Sequence, residues 1–214
     1  SMWQTVCATI RKVIAESGVA PSEIKGVSFS AHGKGLYAVD INGEPVRNGI
    51  ISSDNRALPI VQEWKSRNVD KAAYPYAFQQ VWAGHPVSIL AWLKANEGDS
   101  YQRIHRVLMA HDWVRYKLTG EFGAEITNIS GSNLYNVDTG AYEPELFKLF
   151  GIDEMQECVA PVIGSTESRS GVSAKAAEET GLVAGTPVFG GFFDVVSAAV
   201  CAGIFSCIRV MRLA

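Results

Sequence analysis

Pro187 to Gly203 reads P-V-F-G-G-F-F-D-V-V-S-A-A-V-C-A-G. Its opening, Thr186-Pro187-Val188-Phe189, is short, apolar and β-rich, the pattern of a buried strand. Two glycines break the run. Val195, Val196, Ala199, Val200 and Gly203 then recur at i, i+1, i+4, i+5 and i+8, which predicts a helix with one face packed closely against a neighbour. Asp194 stands at the strand-to-helix turn, the one carboxylate in a run otherwise without charge. A carboxylate in such surroundings is costly unless it caps the helix, pairs, or takes part in chemistry. Capping is the plainest reading, since Asp is among the best N-caps, with about 1 kcal/mol at stake, and helix N-termini favour carboxylates.

Working outward, the 214 residues are 47% hydrophobic and 19% charged, with a net charge of -3. That is ordinary for a soluble globular protein and enough to bury one or two cores. The balance offers neither a basic field for nucleic acid nor a polybasic patch for a membrane. No apolar run approaches the length of a membrane span, and the N-terminus lacks a signal-peptide pattern. Cys7, Cys158, Cys201 and Cys207 have no metal-ligand spacing. They read as buried or free thiols of a reducing, cytoplasmic compartment. Ser1 before Met2 reads as a residue left by tag cleavage.

The rest of the chain alternates helical and extended patterns. Trp3, Val6, Cys7, Ile10, Val13 and Ile14 keep helical spacing up to Gly18. Ile24 to Ser30 reads as a strand, and Leu36 to Val39 and Pro45 to Ile51 as two more, joined by the turn Asp40-Ile41-Asn42-Gly43. Ala57 to Arg67 reads as a helix, Tyr74 to His85 as an irregular aromatic stretch, and Pro86 opens a further helix. Val107 to Met109 reads as a short strand, Asp112 to Leu118 as a helix that Gly120 stops, and Asn128 to Asn136 as a polar segment. Helical patterns follow at Pro144 to Phe150 and Ser173 to Thr180. This alternation indicates an α/β fold, a mixed sheet with helices on its faces.

Loops at strand ends are where α/β folds hold ligands, and two stand out, residues 31–35 (A-H-G-K-G) and 52–56 (S-S-D-N-R). The first has the glycines of a phosphate loop without its full signature, and a solvated Lys in a glycine turn is the blander reading. Asp54 and Arg56 could form a local ion pair. His85, His105 and His111 lack metal spacing and read as core or surface residues. His111-Asp112 opening a helix reads as a cap. Trp82 and Trp92 read as packing before sugar platforms.

Together these stretches resemble the FGGY family of carbohydrate kinases. G-V-S-F-S-A-H-G-K-G-L-Y-A-V-D, N-G-I-I-S-S-D-N-R-A, H-D-W-V-R-Y-K-L-T-G-E-F, I-T-N-I-S-G-S-N-L-Y-N and G-T-P-V-F-G-G-F-F-D-V-V-S-A-A-V-C-A-G-I follow that family's order over residues 3 to 204. S-A-x-G-K-G, S-S-D-x-R-A, G-H-P-V-S and F-D-V-V-S look most like L-xylulose kinases. The resemblance implies an actin-like, ribonuclease-H-like fold in which ATP, Mg²⁺ and a sugar or polyol meet between two domains. It implies that Asp194 is the base that takes the proton of the attacking hydroxyl, overturning a cap-only role. It implies that Gly33 and Lys34, with His32 beside them and Asp54 in a second loop, bind the sugar.

The departures from the family pattern carry expectations as well. Nothing matches the Asp-x-Gly strand hairpin with which the family begins, or its adenosine-binding C-terminal domain. Residues 205–214 match nothing expected of the family, as an atypical tail would. The chain is therefore expected to be a sugar-binding half that turns over poorly alone, since phosphoryl transfer depends on all the positioning parts. A sheet edge left open by a missing hairpin would favour a homodimer. Two alternatives remain at this level: a non-catalytic sugar-binding fragment, and a structural domain whose Asp194 only caps a helix.

Overall fold

The computed structural model describes residues 1–204. The tail from 205 onward, including Cys207, lies outside the described residues. The first helix, Met2–Ser17, is opened by a Ser1 capping box and closed by Gly18 in the left-handed conformation. It buries Trp3 and Cys7, while Val13 of the same pattern faces solvent. The chain then runs through an extended segment to the strand Ser30–Ala31. Leu36 bridges Ile50 and Val39 bridges Pro45 in antiparallel fashion, around a turn in which Gly43 N–H donates to the Asp40 carbonyl. Helices Leu58–Ser66, Val69–Ala77, Pro86–Asn96 and Gly98–Gln102 follow. Next come Ala110–Thr119, Ile126–Ile129, Pro144–Leu149 and Ala174–Thr180, and finally Asp194–Cys201.

The pairing is mixed. Ser30–Ala31 runs parallel to Phe192–Phe193, and Ala124–Glu125 parallel to Val162–Ile163. Tyr135–Asn136 is antiparallel to Ala141–Tyr142, and Ser170–Gly171 to Pro187–Val188. Val188 also bridges Val27, which ties the antiparallel pair to the edge that carries Ser30. Two apolar clusters fill the molecule. One gathers the helix Pro86–Asn96, whose Val87, Ile89, Leu90 and Leu93 are wholly buried, against the hairpin and the helices Leu58–Ser66 and Val69–Ala77. The other packs Met2–Ser17, Ala110–Thr119 and Ala174–Thr180 around Val39, Leu108 and Val188. Each fully buried aliphatic side chain contributes roughly 1.5–3 kcal/mol of transfer free energy.

Several sequence expectations change. Tyr74 is helical, not irregular: Val69–Ala77 carries Pro75 inside it because Ala73 and Ala77 bury one face. Val107 to Met109 is extended but forms a single bridge, Val107 to Val159, with Tyr37 N–H donating to the Leu108 carbonyl. Asp112 is not a cap, because the helix begins earlier, at Ala110, behind Met109. Its buried carboxyl accepts the Glu125 N–H at 2.9 Å instead. The helix Asp194–Cys201 buries none of its residues, and Val195 is 61% exposed. The apolar face that predicted close packing is therefore open among the described residues.

Candidate sugar-binding site

The parallel pair fixes the site. Ser30 is in register with Phe192 and Ala31 with Phe193. Both strands therefore end at the same edge, one leading into the loop 31–35 and the other into the helix that Asp194 begins. Crevices at the carboxyl ends of parallel strands are where open α/β sheets bind ligands. Ser30 Oγ and Ser197 Oγ lie 3.0 Å apart, tying the first turn of that helix to the neighbouring strand.

Asp194 is the first helical residue, with Phe193 before it and no side-chain cap on Phe193. Its exposed carboxylate accepts the Val195 N–H at 2.7 Å. Lys34 approaches from the other loop on a left-handed backbone, φ 64°. Its Nζ lies 4.8 Å from the ring centroid of Trp82 and 5.3 Å from that of Phe193. Burial pushes the Lys34 ammonium below its ordinary value, and the charge of Asp194 works against that shift. An ammonium between aromatic faces is held by the ring quadrupoles while its donors stay free for a ligand.

Gly33 is needed where it stands: a Cβ would lie 2.7 Å from the Phe193 ring and 3.1 Å from Asn128 Oδ1. A second close approach joins the loops, since a Cβ on Gly84 would fall 1.8 Å from the Ser52 carbonyl oxygen. Gly35 N–H donates to the Gly84 carbonyl at 3.0 Å. The segment that carries Trp82 is thereby clamped against both loops singled out in the sequence. His85 stacks on Trp82 at 4.8 Å, and neither of its ring nitrogens has a hydrogen-bond partner among the described residues. Burial, aided by the Lys34 charge, pushes its pKa down to about 3, so it is a neutral imidazole.

Gly33 and Lys34 thus both meet Phe193, the residue before Asp194. His32 and Asp54 stand differently. His32 faces Tyr37, whose hydroxyl is 3.4 Å from Nε2, and its Nδ1 is 3.4 Å from the Gly33 carbonyl. Asp54 is engaged through both oxygens by Arg56, Nε at 2.8 Å and Nη2 at 2.9 Å, and those hydrogen bonds hold its carboxyl below the usual range. Arg56 in turn lies 4.9 Å over the Trp92 ring. The local ion pair read from the sequence is present.

Sequence reasoning assigned Trp82 to packing, yet it is 52% exposed. It left Asn128, Phe193, Thr127 and Glu125 without a role. Thr127 and Asn128 do sit in the quoted stretch I-T-N-I-S-G, the one signal that could have found them.

Comparison with known proteins decides the family. The N-terminal domain model of the FGGY family of carbohydrate kinases matches residues 1–201. The chain belongs to the FGGY family. This FGGY chain is 48% identical to the "Probable L-xylulose kinase" of Pasteurella multocida over 203 residues, 95% of the chain and 42% of that relative. It is also 48% identical to the "L-xylulose/3-keto-L-gulonate kinase" of Escherichia coli, over 95% of the chain and 41% of that relative. The chain therefore spans about two fifths of the length of the curated relatives it matches. Among solved structures, a xylulose kinase from Rhodospirillum rubrum superimposes with a TM-score of 0.85 at 25% identity, covering 94% of the chain and 41% of that protein. A ligand-bound xylulose kinase from Lactobacillus acidophilus does so at 0.86 and 19% identity, over 94% of the chain and 40% of that protein, and shares the fold. The mixed α/β architecture is that of FGGY kinases, the actin-like ATPase fold.

Proposed function

We propose that this chain is the sugar-binding part of an ATP-dependent kinase for L-xylulose or a related ketopentose, with Asp194 as the base. The observation that supports this reading is the strand register that brings Phe193, the residue before Asp194, to the loop of Lys34, whose ammonium lies over Trp82 and Phe193. The names of the two relatives supply the substrate class. Asp194, exposed at a helix start, takes the proton of the hydroxyl that attacks the γ-phosphate of ATP. Such a base contributes typically 10²–10⁴-fold, and the helix N-terminus favours its ionised form.

Gly33 lets the loop backbone approach the sugar, and Lys34 donates to carbonyl or carboxylate oxygens. The same preference accommodates a keto sugar acid, the second substrate in the Escherichia coli relative's name. His32 and Asp54 complete the rim, each oriented by its own partner. Among the described residues no group of three or more His, Cys, Asp or Glu could hold a metal ion. Mg²⁺ would arrive on the ATP phosphates, with at most one or two carboxylates added by protein. The chain alone is expected to bind sugar and turn over poorly, because positioning and charge clamps act together in phosphoryl transfer.

ADP release by the full-length protein, with L-xylulose, D-xylulose, L-ribulose, erythritol and glycerol each supplied with ATP and Mg²⁺, tests the reading. Preference for L-xylulose supports it. ADP release with none of the five would leave the rival, a non-catalytic sugar-binding protein.

A further inference from the structure

We infer that Thr127 is a positioning residue for Asp194: gripped by Glu125, its hydroxyl holds the backbone at Phe193, one residue before the base. The inference rests on the reading of Asp194 given above and goes beyond it.

The geometry fixes the direction of every hydrogen bond. In the parallel pair Phe192 N–H donates to the Phe29 carbonyl, so the next amide points to the opposite side. There, Phe193 N–H finds the Thr127 hydroxyl oxygen at 2.9 Å. An amide can only donate, so that hydroxyl oxygen accepts and its single proton must go elsewhere. It goes to Glu125 Oε2 at 2.6 Å.

Glu125 is wholly buried and saturated. It also accepts Thr127 N–H at 2.9 Å, Asn128 N–H at 3.1 Å and Ser165 Oγ–H at 2.6 Å. Its own amide is tied to Asp112. A carboxylate with four donors cannot swing without leaving buried groups unpaired, so it is a rigid anchor. The anchor reaches Asp194 through one hydroxyl and one peptide unit. The same grip seats the Phe193 ring, which closes over Gly33 and faces Lys34. Thr127 therefore sets where the base stands relative to the sugar loop.

The test uses the full-length protein, and its readout is ADP release with L-xylulose. Thr127→Val removes the acceptor at nearly constant volume. It should lower kcat by about tenfold to 10²-fold with sugar KM within about threefold, as a misplacement of order 1 Å does. Thr127→Ser keeps the hydroxyl and should stay within about twofold of wild type. Ser165→Ala removes one of the four Glu125 donors without touching Phe193 and should lower kcat by less than Thr127→Val does.

In an Asp194→Asn background Thr127→Val should add no further loss, since the two act as one unit. Should Thr127→Val not fold, Thr127→Cys, near in volume with a weak sulfur acceptor, is read in its place. Wild-type kcat in Thr127→Val, an equal loss in Thr127→Ser or Ser165→Ala, or full additivity with Asp194→Asn would each overturn the inference. Asp194→Asn retaining kcat is a different failure. It removes the base, and with it the role given to Thr127, whereas an inactive Asp194→Asn beside an active Thr127→Val overturns the positioning alone.

Discussion

A methyl group on Gly33 would stand 2.7 Å from the ring of Phe193. These residues are far apart in sequence, and the contact between them joins the loop 31–35 to the strand that leads into Asp194. Gly33 belongs to the loop 31–35 and Phe193 precedes Asp194. The same ring faces the Lys34 ammonium, so the absence of a side chain at Gly33 sets how closely the loop approaches the segment that leads into Asp194.

Gly33→Ala must push Phe193 or Asn128 away. Overpacking of this kind costs typically 1–3 kcal/mol. Thermal unfolding should show that loss, and titration with L-xylulose should show weakened binding. An unchanged melting temperature with unchanged affinity would mean that Phe193 yields freely and that the close approach sets nothing.

Lys34 occupies the left-handed region, which costs a residue with a Cβ of order 1 kcal/mol. Lys34→Gly should therefore hold or raise stability while losing sugar affinity, and Lys34→Met should lose affinity alone. Trp82→Ala should likewise weaken sugar binding with little loss of stability, because its ring is half exposed. Isothermal titration beside thermal unfolding separates the two effects. Undiminished affinity in Lys34→Met would show that its ammonium is not a substrate contact.

Acid should destabilise the protein through two buried imidazoles. Burial pushes His85 from the ordinary 6.5 to about 3 and His111 to about 4. The unfolded chain therefore binds more protons below pH 6.5, and the stability these residues provide above that value is lost as pH falls toward their folded values. Asp112 opposes them, since burial raises its pKa from 3.8 to about 7 and the folded state holds the extra proton in the same range. The two imidazoles outweigh the one carboxyl, so stability should fall as pH falls below 6.5. Urea unfolding between pH 4.5 and 6.5 measures it. His85→Gln should flatten the slope by about one proton, and an unchanged slope would show that His85 is not kept neutral by burial.

What could be read from the sequence follows the range of the forces involved. Helices closed by Gly18, Gly120 and Gly181, or opened by Pro86 and Ser173, were legible because caps and turns are chemistry between near neighbours in the chain. The loops 31–35 and 52–56 were legible as strand-end loops. Trp82 was misjudged because a tryptophan among apolar residues looks like core. Its place over Lys34, stacked on His85, comes from contacts with the distant loops that the sequence does not show. The helix Asp194–Cys201 reads as tightly packed from its apolar spacing, yet it buries none of its residues, because spacing shows which face is apolar and not what covers it. Asn128 looked like the start of a polar segment and Thr127 drew no reading, since nothing local shows that Phe193 will arrive against them.

The most direct test of the central claim is the kinetics of Asp194→Asn in the full-length protein with L-xylulose, ATP and Mg²⁺. The substitution keeps the shape of the side chain and its position at the helix start but removes the proton acceptor. The account predicts ADP release slowed by about 10²–10⁴-fold with sugar affinity within a few-fold of wild type. Near wild-type turnover would contradict it, leaving Asp194 as a helix-terminal carboxylate and the loops around Lys34 as a binding site without its base.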